Sequence, residues 1–205
     1  MTDLAPTKPT RGRIVIARHG RPALDRTAGP PLTWQEYVRW WEDYEASELA
    51  PGQEVPTALI EAVADVDLVL SSTRLRAIET AQRATSGREP EQNPIFNEAP
   101  LPPPRLKNRA YLPKTWEVFA RIMWLAGHTL GGESVQQARQ RARDAAATLH
   151  ETSKGKTVYL AAHGWFNRMI RRPLQKHGWV CVRDGADGYW SYRVYEYRGK
   201  SKNPH

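Results

Sequence analysis

Two rhythms of apolar residues alternate along this 205-residue chain. Short runs at 13–17 (RIVIA), 67–71 (DLVLS) and 157–162 (TVYLAA), and the alternating stretch 189–197 (YWSYRVYEY), predict strands. Between them, apolar positions three and four apart predict helices over 33–47, 57–64, 73–85, 115–126, 134–151 and 166–174. Strands that alternate with helices imply an α/β sandwich with a largely parallel sheet. The last run alternates as a half-exposed edge strand does, which leaves open a homodimer formed by pairing across that edge. Segment 97–113 (NEAPLPPPRLKNRAYLP) carries five prolines and predicts an irregular loop. A long loop inside a compact domain is more often functional than accidental. With no repeat and no linker, the chain reads as one domain over 13–198. Its flanks, 1–12 and 199–205, read as frayed tails.

Composition narrows the class. The chain is 40% hydrophobic and 25% charged, as in soluble globular proteins. No apolar run is long enough to span a bilayer, and the first residues lack the apolar region of a signal peptide. No membrane association is therefore expected. The single cysteine, Cys181, excludes an internal disulfide framework and fits a reducing cytoplasm. It lies in the strand-like GWVCVRDG and reads as a packed thiol. Charge is uneven: residues 1–100 hold 11 Lys/Arg against 15 Asp/Glu, whereas residues 101–205 hold 19 against 7. That excess suggests anionic ligands, or a solvated basic surface. Nucleic acid is not expected as a partner, because no recognisable binding module is present.

Ligands of open α/β sheets sit beyond the carboxyl ends of the strands, so the residues just after each strand carry the candidate chemistry. The first strand delivers Arg18, His19 and Gly20; the second delivers Ser71 and Ser72, with Arg76 four residues on; the third delivers His163 and Gly164. Glu98 opens the proline-rich loop. Crowding histidines with arginines is costly unless something anionic sits among them. The chemistry that suits this set is phosphoryl transfer through histidine. A neutral imidazole can attack phosphorus and split one displacement into two. Arginines would keep the imidazole unprotonated and neutralise phosphoryl charge in the transition state. A carboxyl such as Glu98 could protonate the leaving alcohol and then activate water.

Four segments resemble the histidine phosphatase superfamily, also called phosphoglycerate mutase-like. ARHGRP is similar to its Arg-His-Gly signature, and SSTRLRAIETA to its Ser-Ser-x-x-x-Arg-Ala-x-x-Thr-Ala element. GGESVQQARQRA resembles its Gly-Glu-Ser helix start, and LAAHGWFNR its second His-Gly. The motifs occur in family order and span most of the chain. The resemblance implies a three-layer α/β/α sandwich with a mixed, largely parallel sheet. It implies His19 as phosphorylated nucleophile, Arg18, Arg76 and His163 as phosphoryl-binding groups, and Glu98 in FNEAPLP as the acid. Glu117 is a second available carboxylate. No metal or other cofactor is implied. Glycolytic mutases continue Arg-His-Gly as Glu-Thr-x-x-Asn, whereas this chain reads Arg21-Pro22-Ala23-Leu24-Asp25. That departure argues against mutase activity.

The remaining candidates are positional. Gly20, Arg21, Ser72, Gly164 and Trp165 are candidate substrate-binding residues. Glycine after a catalytic histidine permits close approach or a positive φ. Arg21 either meets a second anionic group or faces solvent, and Ser72 serves the start of the next helix first. Trp34, Tyr37, Val38, Trp41 and Tyr44 fall on one helical face, which packs on the domain or lids the pocket. Glu133 of GGES is expected in the first turn of its helix. His128, His150, His177 and His205 show no ligand spacing and receive no role. The expected activity is a phosphatase acting on a small-molecule or phosphoprotein phosphomonoester. The alternatives are a non-catalytic phosphoester-binding module and a phosphomutase.

Overall fold

In the computed structural model, which describes residues 11–101 and 103–199, the first half of the chain forms β1 (Ile14–Arg18), α1 (Trp34–Ala46), α2 (Thr57–Val63), β2 (Leu68–Ser71), α3 (Leu75–Ala84) and β3 (Glu91–Gln92). The second half forms α4 (Pro113–Leu125), α5 (Val135–Thr152), β4 (Val158–Ala162), α6 (Gly164–Lys176), β5 (Trp179–Asp184) and β6 (Tyr192–Tyr197). The strands make one sheet in the order β3-β2-β4-β1-β6-β5. The first four are parallel, and β6 and β5 are antiparallel additions.

Alternation along the strands divides the core in two. Ile14, Ile16, Val158 and Leu160 face α5 and α6, meeting Ala142, Ala146, Phe166 and Ile170. Val15, Ala17, Tyr159 and Ala161 face α2 and α3, meeting Leu59, Val63, Ala81 and Ala84. The result is the three-layer α/β/α arrangement. It explains why β1 and β4 read as unbroken apolar runs: each is covered on both sides. From β1 the chain departs towards one helical layer and from β4 towards the other. Their adjacent carboxyl ends therefore flank a crevice at the switch point.

Local signals place the helix starts. Thr33 caps α1 in a reciprocal capping box with Glu36, and Ser134 does the same for α5 with Gln137. Pro113 begins α4, where its missing N–H costs nothing. Beside the sheet, α1 packs on α4 through an aromatic contact. The Tyr37 ring lies 5.7 Å from that of Trp116, whose indole N–H donates to the Leu32 carbonyl at 2.7 Å.

Three expectations need correction. The last strand is not an edge: β6 lies between β1 and β5, so neither side is free to pair with a second copy. Its alternation arises because Arg193 is buried in mid-strand with its charge met by Asp184 at 2.8 Å and Asp187 at 3.0 Å. The edges are β5 and the two-residue β3, which is too short for a periodic signal. Glu133 precedes α5 rather than entering its first turn, because Ser134 is the cap. Of the expected tails, 1–10 and 200–205 lie outside the described residues, while Arg11 and Gly12 pair with the end of α5 near Ser153 and Lys154. Among the described residues, no helix is long and apolar enough to cross a membrane.

Trp116→Ala should cost about 3–5 kcal/mol in denaturant unfolding, because it removes a fully buried indole and the anchor of α1. Trp116→Phe, which keeps a ring but loses the bond to Leu32, should cost about 1–3 kcal/mol.

Candidate active site

The parallel register of β1 and β4 pairs Arg18 with Ala162, which sets the next residues, His19 and His163, side by side. Their rings lie 5.1 Å apart in an edge arrangement. On the other side of β4, Ser71 of β2 pairs with Ala161, which puts Ser72 level with Ala162, one residue before His163. Ser72 Oγ lies 2.8 Å from His163 Nε2. The residues that directly follow three adjacent strands thus assemble the cluster.

His19 is buried, with Nδ1 2.7 Å from the Gly20 carbonyl. A carbonyl only accepts, so Nδ1 carries the proton and Nε2 keeps a free lone pair. Burial, then the Arg76 and Arg18 guanidiniums, hold His19 well below the ordinary histidine value. His163 is lowered likewise, by burial first, then Arg76 and the neighbouring His19. Its Nε2 faces the Ser72 hydroxyl, which can donate or accept. Ser72 Oγ also accepts the Arg74 N–H at 3.3 Å, and where its own proton goes to His163 Nε2 the ring proton is on Nδ1. His163 Nδ1, Arg18 Nε and Arg76 Nε are buried nitrogens with no hydrogen-bond partner among the described residues.

Each arginine is held by a different element. Arg18 Nη1 donates to the Asp187 carbonyl at 2.5 Å, and its guanidinium stands 4.3 Å from the centre of the Tyr189 ring. Arg76 Nη1 donates to the Tyr44 and Glu45 carbonyls at the end of α1, and Nη2 to Glu45 Oε1 at 2.7 Å. Glu45 Oε2 also takes Arg74 at 2.8 Å. The glycines are steric requirements. A Cβ on Gly20 would lie 2.4 Å from the Trp190 indole, and one on Gly164 would crowd Arg18 at 3.2 Å. Gly20 also donates its N–H to Thr80 Oγ1 at 2.9 Å, tying the motif of β1 to that of α3.

A cleft of about 290 Å³ opens beside these groups, and its lining includes Arg18, Arg26, Glu98, Glu117, Arg121 and Trp165. Gly164 is part of that lining, while His19 and His163 are themselves buried. Glu98 is brought to the cleft as expected. Its Oε1 accepts the N–H groups of Ala99 and Phe166, both at 2.9 Å, and its Oε2 that of Trp165 at 3.1 Å. It therefore occupies the start of α6, where free amides favour an anion. Arg141 fixes the approach to Glu98, donating to the carbonyls of Ile95 and Asn97. Glu133 of GGES holds Arg141 in turn, with both carboxylate oxygens.

Arg21 is not brought in: its side chain is exposed and its main chain is bonded to Gln53. Arg26 lines the cleft instead, paired with Glu117 at 2.7 Å. Burial pushes the Glu117 carboxyl up, and its Oε1 is buried without a hydrogen-bond partner among the described residues. The sequence offered no periodic signal for Arg26, in an irregular segment, or for Glu117, on a helix chosen for its apolar pattern. The aromatic helix packs on the domain, and part of it lines the cleft. Tyr37 and Tyr44 pack inward, while Trp41 and Tyr44 wall the cleft.

The family model for the histidine phosphatase superfamily (branch 1) matches residues 14–203. The chain belongs to the histidine phosphatase superfamily. No curated protein matches it significantly in sequence. Solved structures share the histidine phosphatase fold at low identity. One is a phosphoserine phosphatase variant of Entamoeba histolytica bound to phosphoserine, with 16% identity, 91% of each chain covered and a TM-score of 0.58. Another is a mycobacterial glucosyl-3-phosphoglycerate phosphatase, with 20% identity, 93% of this chain and 100% of that chain covered and a TM-score of 0.56. A putative α-ribazole-5′-phosphate phosphatase of Escherichia coli has 17% identity, covering 82% and 80%, with a TM-score of 0.53.

The lowered histidines predict a fold whose stability is sensitive to acid. Unfolded, each takes a proton near the usual value of about 6.5; folded, each does so only well below it. Their contribution to stability is therefore complete above that value and is lost as pH falls through the window beneath it. His163→Gln should make the fall in unfolding free energy between roughly pH 6 and pH 5 shallower by about 1 kcal/mol per pH unit, measured by urea titration.

Proposed function

We propose that this histidine phosphatase is a hydrolase that removes the phosphoryl group of a phosphomonoester through a covalent intermediate on His19. The observation that carries the reading is the neutral His19 with Nδ1 fixed and Nε2 free, surrounded by buried guanidinium and imidazole nitrogens that lack partners among the described residues. Nε2 attacks phosphorus and the bond to the ester oxygen breaks. The leaving oxygen takes a proton from a carboxyl lining the cleft. The Nδ1–H bond to Gly20 strengthens as the ring becomes cationic. Arg18, Arg76 and His163 Nδ1–H hold the phosphoryl oxygens as charge builds on them. The carboxylate then deprotonates water, which attacks phosphorus. The P–N bond breaks, releasing inorganic phosphate and neutral His19.

Glu98 is the proposed proton donor, held at the mouth of the cleft by the amides of α6. A second reading gives the proton to Glu117, favoured by its burial, its raised value and its unpartnered Oε1. The charge in the site is supplied by protein cations, so no step is assigned to a metal. The phosphoesters in the names of the related structures, phosphoserine and glucosyl-3-phosphoglycerate, make small phosphomonoesters the first substrates to test.

With an aryl phosphate and a chelator present, His19→Ala should lose more than about 10³-fold in kcat, the scale on which removal of a nucleophile acts. Wild-type protein quenched in alkali should carry an acid-labile phosphate that the variant lacks. Equal turnover by both proteins would refute the mechanism, and absence of both signals would favour a binding module.

The carboxyls separate by leaving group. Loss of the donor should lower kcat about 10²–10⁴-fold for alkyl phosphates and much less for activated aryl phosphates. Glu98→Gln is expected to show that split. If Glu117→Gln shows it instead, the second reading holds.

A further inference from the structure

A second, larger concavity of about 830 Å³ lies between the end of α4, the first half of α5 and the outer face of α6. Trp165 and Arg168 line both it and the catalytic cleft, so they form the shared wall. From Arg168, cations recur on α6 at Arg172 and Lys176, one turn and two turns on. Residues four apart stack on one helix face about 6 Å apart, so this ladder runs about 12 Å away from the cleft. Across the groove, α5 presents Arg139 and Arg143, again four apart. Between the two ladders the floor is apolar: Trp165, Met169 and Val135 pack on the buried Trp124.

The charge is largely uncompensated. Arg168 and Arg171 meet Asp187 at 3.5 Å and Asp184 at 2.8 Å. Among the described residues, Arg139, Arg143, Arg172 and Lys176 have no carboxylate within ion-pair distance. Like charges four apart on a helix face repel and destabilise it. A merely solvated basic face would need neither facing ladders nor an apolar floor continuous with a catalytic cleft. The volume falls in the range of small-molecule sites, about 300–1,000 Å³, which favours a small organic ligand over a macromolecule.

We infer that this groove is the leaving-group subsite, and that the substrate is an elongated small-molecule phosphomonoester. Its alcohol carries an apolar body and at least one further anionic group, phosphate or carboxylate. The phosphoryl end enters the cleft, the body lies over Trp165 and Met169, and the distal anion is held by Arg172, Lys176 and Arg139. This rests on the hydrolase reading above for the direction in which the substrate lies.

The test compares the monophosphate and the bisphosphate of one ten-carbon diol, which differ only in the distal anion. Wild-type protein should hydrolyse the bisphosphate with kcat/KM about 10- to 100-fold higher, the scale of one or two charge-assisted hydrogen bonds. The variant Arg139→Ala/Arg172→Ala/Lys176→Ala, altered only at exposed positions, should lose that preference. It should keep its turnover of a short aryl phosphate within about twofold. Equal kcat/KM for the two esters in wild type, or an unchanged preference in the variant, would overturn the subsite.

If neither ester turns over, calorimetric binding to His19→Ala decides. Tighter binding of the bisphosphate, abolished by the triple substitution, would sustain the subsite and overturn the hydrolase reading alone. Equal binding of the two esters would overturn the subsite. Binding of an acidic peptide or an oligonucleotide with no discrimination between the esters would also overturn it.

Discussion

The in-register parallel pairing of β1 with β4 is the constraint on which the site depends. Arg18 stands opposite Ala162, and His19 and His163 follow at the same height. A shift of one residue would turn the strand faces over and send Ile14 and Ile16 into the wrong helical layer. The hydrophobic core and the histidine pair are thus specified by the same register. Any substitution that loosens packing between the strands and α5 or α6 acts on the distance between the two imidazoles as well. From β2, on the other side of β4, Ser72 stands level with Ala162 and its hydroxyl reaches forward to His163.

Burial then does chemical work. Two imidazoles beside arginines would be an unfavourable arrangement if protonated, and the interior keeps them neutral. Neutrality gives His19 a free Nε2, because the Gly20 carbonyl has claimed the proton on Nδ1. The same Gly20 must lack a side chain because Trp190 fills the space where a Cβ would stand. The Arg-His-Gly segment is therefore a tautomer-setting device as much as a sequence signature. Its parts depend on β1 before it and on Trp190, far along the chain.

The sheet, the helices and the histidine pair were legible in the sequence because they rest on periodicity and on residues adjacent to strand ends. The helix limits agree with the pattern to within a few residues, since Thr33 and Ser134 are caps readable in one dimension. What was not legible rests on ion pairs between distant segments. Arg193 inside β6 mimicked the outward residue of an edge strand because nothing in YWSYRVYEY reveals Asp184 and Asp187 as its partners. Arg26 and Glu117 lie 91 positions apart and become a cleft pair only through the packing of the aromatic helices. Glu133 looked like a helix-start charge until Arg141 turned back to it and fixed the segment leading to Glu98.

Arg76 shows how far the aromatic helix has become part of the histidine–arginine cluster. A guanidinium has five N–H donors. Two on Nη1 go to the carbonyls of Tyr44 and Glu45, and one on Nη2 goes to the Glu45 carboxylate. That leaves Nε–H and a single Nη2–H, enough for one bidentate contact and no more. The end of α1 therefore orients Arg76 and limits what it can hold. Glu45 also lowers the net positive charge that His19 and His163 must tolerate, by sharing its carboxylate between Arg74 and Arg76. Since α1 reaches this point through the stacking of Tyr37 on Trp116, the aromatic cluster that looks like remote packing sets the electrostatics beside His19.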